Sequence, residues 1–533
     1  MSYIINTSTD LTINDINTAQ TFNKDYKSVF KFFKKHTDID IHNDKTYVEM
    51  YEKDWSNIKG YADIVARPKN SYECSLLMLY FSEANIPITI SAGKTNLTGS
   101  ATPKGGIVIN TELMLSPDIL IDYERKTAQV PVGEILENVR DKILKLSNNS
   151  LYYPVDPTSR NDARIGGTIS CNASGFIPGE RGATRYWVES IEIVLLNGKK
   201  ICARRGQYTS KNNEFIIDNK TVKVPTYIRP KIKNASGIFS ADINQIDFVD
   251  LIVGSEGIFG LITACELRLD KSSKNHIDFF IPFSNESLAI KFYHYVSKFI
   301  SNSDYDLKAL EYFGYNSQKY MKNSEFLFNS KNEVGIYMQI PIYDKTIEDE
   351  AEYWIDVINN SKCNLDTDSI LILNNSDNWD KFFEARHSIP VNALEKTIKD
   401  DAVSIITDTI VPPENFNEFL SFTHNLISKN NVEYLLFGHL GDCHLHFHLI
   451  HSKEDQQIAN NIYTQIIKKS SKLGGVYSAE HGTGKRKRND FIDCYGLEAV
   501  NQIKLCKESF DSLMLLNKGN IIKWKISYSY FYQ

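Results

Sequence analysis

Half of the chain's 12 histidines (His439, His444, His446, His448, His451 and His481) fall within 43 residues near its C-terminal end. In an extended chain alternate residues share a face, so His444, His446 and His448 in FGHLGDCHLHFHLIH project to one side and Leu445, Phe447 and Leu449 to the other. One face is then suited to chemistry and the other to a core. His439 lies an odd seven residues before His446, and the two converge only if Gly441-Asp442 turns the chain. A second segment, GGVYSAEHGTGKRKR, sets Glu480 beside His481 and follows them with Gly482 and Gly484, which permit the bend that aims neighbouring side chains at one point. Two imidazoles and a carboxylate suit a divalent metal with an open, catalytic position. The same residues also fit a polar surface strand, and spacing alone leaves both readings open.

Glycine is similarly clustered: 18 of 27 lie in the windows 93–106, 166–182, 254–260 and 438–484. SAGKTNLTGSATPKGG follows the apolar run IPITI, and a strand ending in such a loop exposes successive N–H groups of the kind that hold a pyrophosphate, or makes an ordinary turn. YPVDPTSRNDARIGGTISCNASG combines a rigid Pro-Val-Asp-Pro turn with Gly166-Gly167, and LIVGSEGIFGLIT spaces Gly254, Gly257 and Gly260 between apolar segments. Neither G-x-G-x-x-G nor G-x-x-x-x-G-K-[ST] occurs, so the Rossmann and P-loop fingerprints are missing.

The elements that position these segments read as mixed α and β. YECSLLMLYFSEA and SVFKFFKK are helix-like, ITIS and GIVIN are short strands, and VESIEIVLL turns at Asn197-Gly198 into KKICARR as a hairpin. The 533 residues, at 42% hydrophobic and 24% charged, suffice for two or three globular lobes. A formal net charge of -6 gives no global basic bias towards nucleic acid. Eight scattered cysteines without C-x-x-C suggest reduced thiols rather than a zinc ribbon or iron–sulfur cluster. No apolar run reaches membrane-spanning length and the opening residues lack a signal-peptide pattern, so a soluble cytoplasmic protein is expected. The run Lys485–Arg488 fits a solvated loop or a contact with acidic lipid or an electron-accepting partner.

Taken in order, the three glycine windows resemble the FAD-binding domain of the vanillyl-alcohol oxidase (PCMH-type) superfamily. The segments around His439 and Glu480 narrow the resemblance to its glycolate oxidase, D-lactate dehydrogenase and D-2-hydroxy acid dehydrogenase branch. It covers about residues 50–530, loosely in the middle. It implies an α+β chain: a lead-in over 1–50, a FAD domain of two α+β subdomains over 51–270, an α+β cap that takes the substrate over 271–455, and a segment over 456–533 returning to the FAD domain.

By that resemblance Gly93, Lys94, Thr95, Asn96, Thr98 and Gly99 hold the pyrophosphate. Asp156, Ser159, Gly166, Gly167, Asn172, Gly175, Gly182, Glu256, Gly260 and Ile262 line the rest of the FAD, with Asn517 of the closing SFDSLMLLNKGNII nearby. Where some members carry a flavin-linking His this loop has Lys94 and Thr95, which implies noncovalent FAD. His439, His446 and Glu480 become ligands of a divalent metal (zinc, manganese or iron) and His481 the base. Cys443, His444 and His448 depart from the branch pattern and put the ligand set in question.

In WDKFFEARHSIP, Arg386 would clamp the substrate carboxylate, since its planar fork matches that group. The implied reaction is oxidation of a D-lactate-like or D-2-hydroxyglutarate-like acid to the 2-oxo acid. Quinone, cytochrome, electron-transferring flavoprotein or oxygen would accept the electrons; a homodimer and contact with the inner membrane face are compatible. The rival readings are a metal-independent flavin oxidase of an alcohol or sugar, and a noncatalytic FAD-binding subunit of an electron-transfer complex.

Overall fold

The computed structural model describes residues 2–22, 25–241, 245–301 and 307–523. The chain folds as α+β around several separate sheets. Near the start, strands Asp40–His42, Ile64–Arg67, Ile107–Asn110 and Ile88–Ser91 form a four-stranded sheet; the last three run parallel, with Ile107–Asn110 between its two partners. A five-stranded antiparallel sheet follows in the order Lys200–Arg204, Val188–Val194, Leu261–Arg268, Thr127–Val130 and Leu120–Asp122. The Asn197-Gly198 turn joins its first two strands as the hairpin read from sequence.

Helix Ser71–Glu83 contacts both sheets. It starts where the Asn70 side chain accepts the Glu73 N–H. Every residue from Cys74 to Ser82 is buried, so this helix is a central strut rather than an amphipathic surface helix. The first residues are tied in too: Ile4–Ile5 pairs in parallel with Glu214–Ile217, and Ser8 bridges Lys200.

Strands between Asn275 and Ile450 form a separate seven-stranded antiparallel sheet, in which the hairpin partners Glu433–His439 and His444–Ile450 lie fifth and sixth, next to the edge strand Ile405–Ile406. One face of this sheet packs on helices that include Ile347–Asn359 and Phe416–Lys429. The other packs on helix Ser376–Lys399 through Phe382, Ala385 and Ile389. Past helix Arg488–Phe510 the chain re-enters the first core: Leu515 and Leu516 are buried there and Leu516 bridges Ile88. All eight cysteines are free thiols. No described helix is long and apolar enough to cross a membrane.

Candidate active site

A cleft opens where strand Ile88–Ser91 ends. Its walls are the loop from Gly93 to Leu97, Ser159, the first turn of helix Ile165–Cys171, Glu256-Gly257, Ile262, Asn517 and, at one end, Glu480 and His481. The N–H groups of Gly93 to Leu97 make no hydrogen bond to another described residue. Lys94 bends the loop with a φ of 57°. Five successive uncommitted donors beside Gly166 and Gly167 make a cradle for a polyanion with a flat attachment. The donor set therefore fits the pyrophosphate of FAD.

Of the residues expected to hold FAD, Gly93, Lys94, Thr95, Asn96, Ser159, Gly166, Gly167, Glu256, Ile262 and Asn517 line this cleft. Thr98, Gly99, Asp156, Asn172, Gly175, Gly182 and Gly260 do not. Thr98 and Gly99 instead bind the chain bearing His481: the Thr98 carbonyl accepts the Lys485 and Arg486 N–H groups, and that of Gly99 accepts the Lys485 ammonium at 3.0 Å. A Cβ at Gly484 would collide with the Thr98 carbonyl, so this contact requires glycine. Asp156 faces a second cavity, and Asn172 ends helix Ile165–Cys171 in a left-handed turn while its side chain accepts the Arg185 N–H. Gly175, Gly182 and Gly260 lie too close to neighbouring chain to carry a side chain.

Glu256 joins the two sides of the cleft. Its buried carboxylate accepts the Ser100 hydroxyl at 2.7 Å, the Thr483 N–H at 2.7 Å and the Gly484 N–H at 2.8 Å. Burial raises its pKa even so, with those donors opposing. Asn517 completes the tie, accepting the Ile90 N–H and donating to the Glu256 carbonyl.

The histidine hairpin lies beyond His481. A 3-10 turn, Leu440–Asp442, reverses the chain so that His439 pairs across from His444, with His446 beside Phe437. One nitrogen or oxygen from each of His439, His444, His446 and Glu480 lies within 4.8 Å of all the others. His446 Nδ1 faces the Thr407 carbonyl at 2.9 Å, which leaves its Nε2 as a lone pair. Burial, helped by His444 and His439, lowers its pKa to about 3, so it is neutral as a metal ligand must be. His444 is fully buried and its Nδ1 has no hydrogen bond, an orphaned donor or acceptor within the cluster. His448 stands apart, bonded to the Ser404 hydroxyl.

His439 is different: burial opposes its charge, but Glu311 at 2.6 Å and Glu480 at 3.5 Å outweigh that and raise it to about 10. Glu480 also receives the ammonium of fully buried Lys233 at 2.7 Å. Three imidazoles and a carboxylate fit a divalent ion, although a cation already compensates the carboxylate.

Asp408 fixes the bend at Glu480-His481. It is fully buried, and its carboxylate accepts the N–H groups of Glu480 at 3.3 Å and His481 at 3.1 Å and the Ser478 hydroxyl at 2.6 Å. The Lys487 ammonium lies 2.7 Å away, His444 Nε2 3.1 Å and His481 Nδ1 3.3 Å. Burial works against its charge, but His481 and Lys487 hold it well below the usual carboxylate range.

Arg386 does not line the flavin-type cleft. It pairs with Glu311 at 2.9 Å, lies 4.2 Å above the Phe176 ring, and reaches the imidazoles only through Glu311 and His439. Its buried Nε has no hydrogen-bond partner.

The sequence reading missed Asp408, Lys233 and Glu311. Asp408 had a signal, an acid inside the apolar run IITDTIVPP; Lys233 and Glu311 had none.

Residues 62–202 match the family model of a FAD binding domain, and residues 316–521 match that of the FAD linked oxidases, C-terminal domain. The chain is 24% identical to a D-lactate dehydrogenase of Anaerostipes hadrus, covering 87% of this chain and 90% of that protein. It is 26% identical to the glycolate oxidase subunit GlcD of Bacillus subtilis, with 86% and 88% covered. A mitochondrial D-2-hydroxyglutarate dehydrogenase of Danio rerio is 21% identical, with 87% and 79% covered. Among solved structures, p-cresol methylhydroxylase with substrate bound superposes with a TM-score of 0.67 at 13% identity over 98% of this chain and 100% of that one, a likeness of fold.

Two substitutions test this geometry. Gly167→Val fills the cleft; overpacking costs roughly 1–3 kcal/mol, so FAD affinity should fall by about five- to a hundredfold, seen as a lower flavin-to-protein absorbance ratio. Asp408→Ala leaves a buried ammonium unpaired and should cost about 3–5 kcal/mol of stability in denaturant titration.

Proposed function

The chain belongs to the FAD-linked oxidoreductases, and on that premise we propose that it oxidises a 2-hydroxy acid to the 2-oxo acid with His481 as the base. The observation that supports this most is that His481 is shared: it lines the FAD-type cleft while its ring stacks at 6.0 Å on His446 of the imidazole cluster.

FAD, held noncovalently by the Gly93–Leu97 cradle, supplies the hydride acceptor. A divalent ion held by His439, His446 and Glu480, with His444 as a further donor, supplies polarisation of the substrate hydroxyl. The protein's own residues do the rest. Asp408 takes the Nδ1–H of His481, so Nε2 carries the lone pair that accepts the hydroxyl proton. Arg386, its guanidinium fixed by Glu311, would orient the substrate carboxylate. An external acceptor then takes the electrons, and no described feature identifies it.

Lys233 favours a second reading. A buried ammonium 2.7 Å from Glu480 already places positive charge where the ion would sit, as a metal-independent oxidase would need.

Anaerobic mixing with D-lactate and D-2-hydroxyglutarate should bleach the flavin of the native protein. His481→Ala should keep its FAD and slow bleaching by about 10²–10⁴-fold; a full rate in that variant removes the assignment. Exhaustive chelation separates the two readings: turnover should collapse and return with added zinc or manganese, whereas unchanged turnover selects the Lys233 site.

A further inference from the structure

The imidazole cluster holds one ring more than the branch pattern asks for. His444, one of the residues that depart from that pattern, is fully buried, and neither of its ring nitrogens makes a hydrogen bond to a described residue. A buried polar ring in that state has lost its hydration without return, so it calls for a partner that the chain itself does not supply. Its neighbours say what kind of partner.

The three rings are prepared alike. Each sets one nitrogen towards a fixed acceptor: His439 Nδ1 faces Glu311 at 2.6 Å, His446 Nδ1 faces the Thr407 carbonyl at 2.9 Å, and His444 Nε2 lies 3.1 Å from Asp408, although out of line for a bond. Outer acceptors of this kind orient metal-binding histidines and fix their tautomers. The other nitrogens of His439 and His444 lie 3.5 and 3.9 Å from the same Glu480 oxygen, and His446 brings a donor within 4.8 Å of all three. Two donors about 2.1 Å from one ion are at most about 4.2 Å apart, so the set has to contract by only about half an ångström. Lys233 does not hold the place against an ion, because the Asp442 carboxylate at 3.2 Å and the Gly175 carbonyl at 3.0 Å keep its ammonium when Glu480 turns away.

The number of donors then selects the ion. Four protein donors fill the tetrahedron that zinc prefers, whereas an ion of octahedral habit still has room for substrate.

We propose that His444 is a metal ligand on a par with His439, His446 and Glu480, and that this four-donor set holds a six-coordinate ion of the Mn(II) or Fe(II) class rather than tetrahedral zinc. The inference rests on the metal-dependent reaction given under Proposed function, whose open position it supplies.

The test uses FAD-loaded protein, stripped with a chelator and titrated with Co(II) and Mn(II) in equilibrium dialysis. Tetrahedral Co(II) absorbs intensely at wavelengths beyond the flavin bands and six-coordinate Co(II) only weakly. The native protein should therefore take up one Co(II) with the weak spectrum; the intense one overturns the proposal. Loss of an outer partner costs about 10–100-fold in metal affinity, so His444→Ala, losing a ligand, should cost at least about a hundredfold for Mn(II). His448→Ala, on the same strand but bonded to Ser404, should leave that affinity unchanged. A smaller loss from His444→Ala, or an equal one from His448→Ala, overturns the proposal; should His444→Ala lose its FAD, the native cobalt spectrum decides alone. Failure of the reaction reads differently. A native protein that takes up no ion overturns both this ligand set and metal dependence, whereas one that binds an ion without need of His444 and is still bleached by hydroxy acid loses the ligand set alone.

Discussion

The site depends on one buried carboxylate. Asp408 sits on a short segment that bridges Ser478 and also carries Thr407, whose carbonyl orients His446. From there it fixes the two backbone N–H groups that aim Glu480 and His481 in different directions, while its charge is balanced by Lys487 and the imidazoles. In a low-dielectric interior such a group is stable only when every lone pair is used. The demand works both ways: the carboxylate needs those donors, and the donors can satisfy it only with the chain bent as it is. The bend that separates a metal-type ligand from a base-type imidazole is therefore enforced by electrostatics, with Gly482 permitting rather than causing it.

Glu256 plays the matching part between segments far apart in sequence. Through Ser100, Thr483 and Gly484 it holds the loop after His481 against the loop that begins at Gly93, and Asn517 and Asn520 brace it from the C-terminal tail. Hence the glycines of the first and last windows serve one purpose. Some face the cleft; others, such as Gly484, let the chains behind it approach to hydrogen-bonding distance. The cleft and the imidazole cluster are in register because the same few residues belong to both.

Much of this was legible in the sequence. The alternation in HLHFHLI gives one histidine face and one core face, and the odd spacing to His439 requires the turn that Leu440–Asp442 makes. Ser71–Glu83 was legible as a helix, though not as one buried on every side, because an almost wholly apolar segment has no polar stripe to show which way it faces. Glycine composition located the cleft but could not separate residues that touch a ligand from those that touch backbone, since both need the absence of a side chain. Lys233 was invisible for another reason: its role comes from contacts 209 and 247 residues away, and a lone lysine in a loop has no local pattern.

Those long-range contacts join Arg386 to the imidazole cluster. Charges alternate in an unbroken line from Arg386 to Glu311, His439, Glu480, Lys233 and Asp442. Burial raises the cost of any uncompensated member, so each fixes the charge of the next. Glu311 illustrates the strength of this: burial would raise its pKa, yet His439 and Arg386 bring it down to about 2. An anion arriving at Arg386 competes with Glu311 for the guanidinium, which leaves Glu311 bound more closely to His439. A cation arriving among the imidazoles competes with the His439 proton and with Lys233 for Glu480. Events at the two ends are thus linked through His439, the residue where the Arg386–Glu311 pair and the imidazole cluster meet.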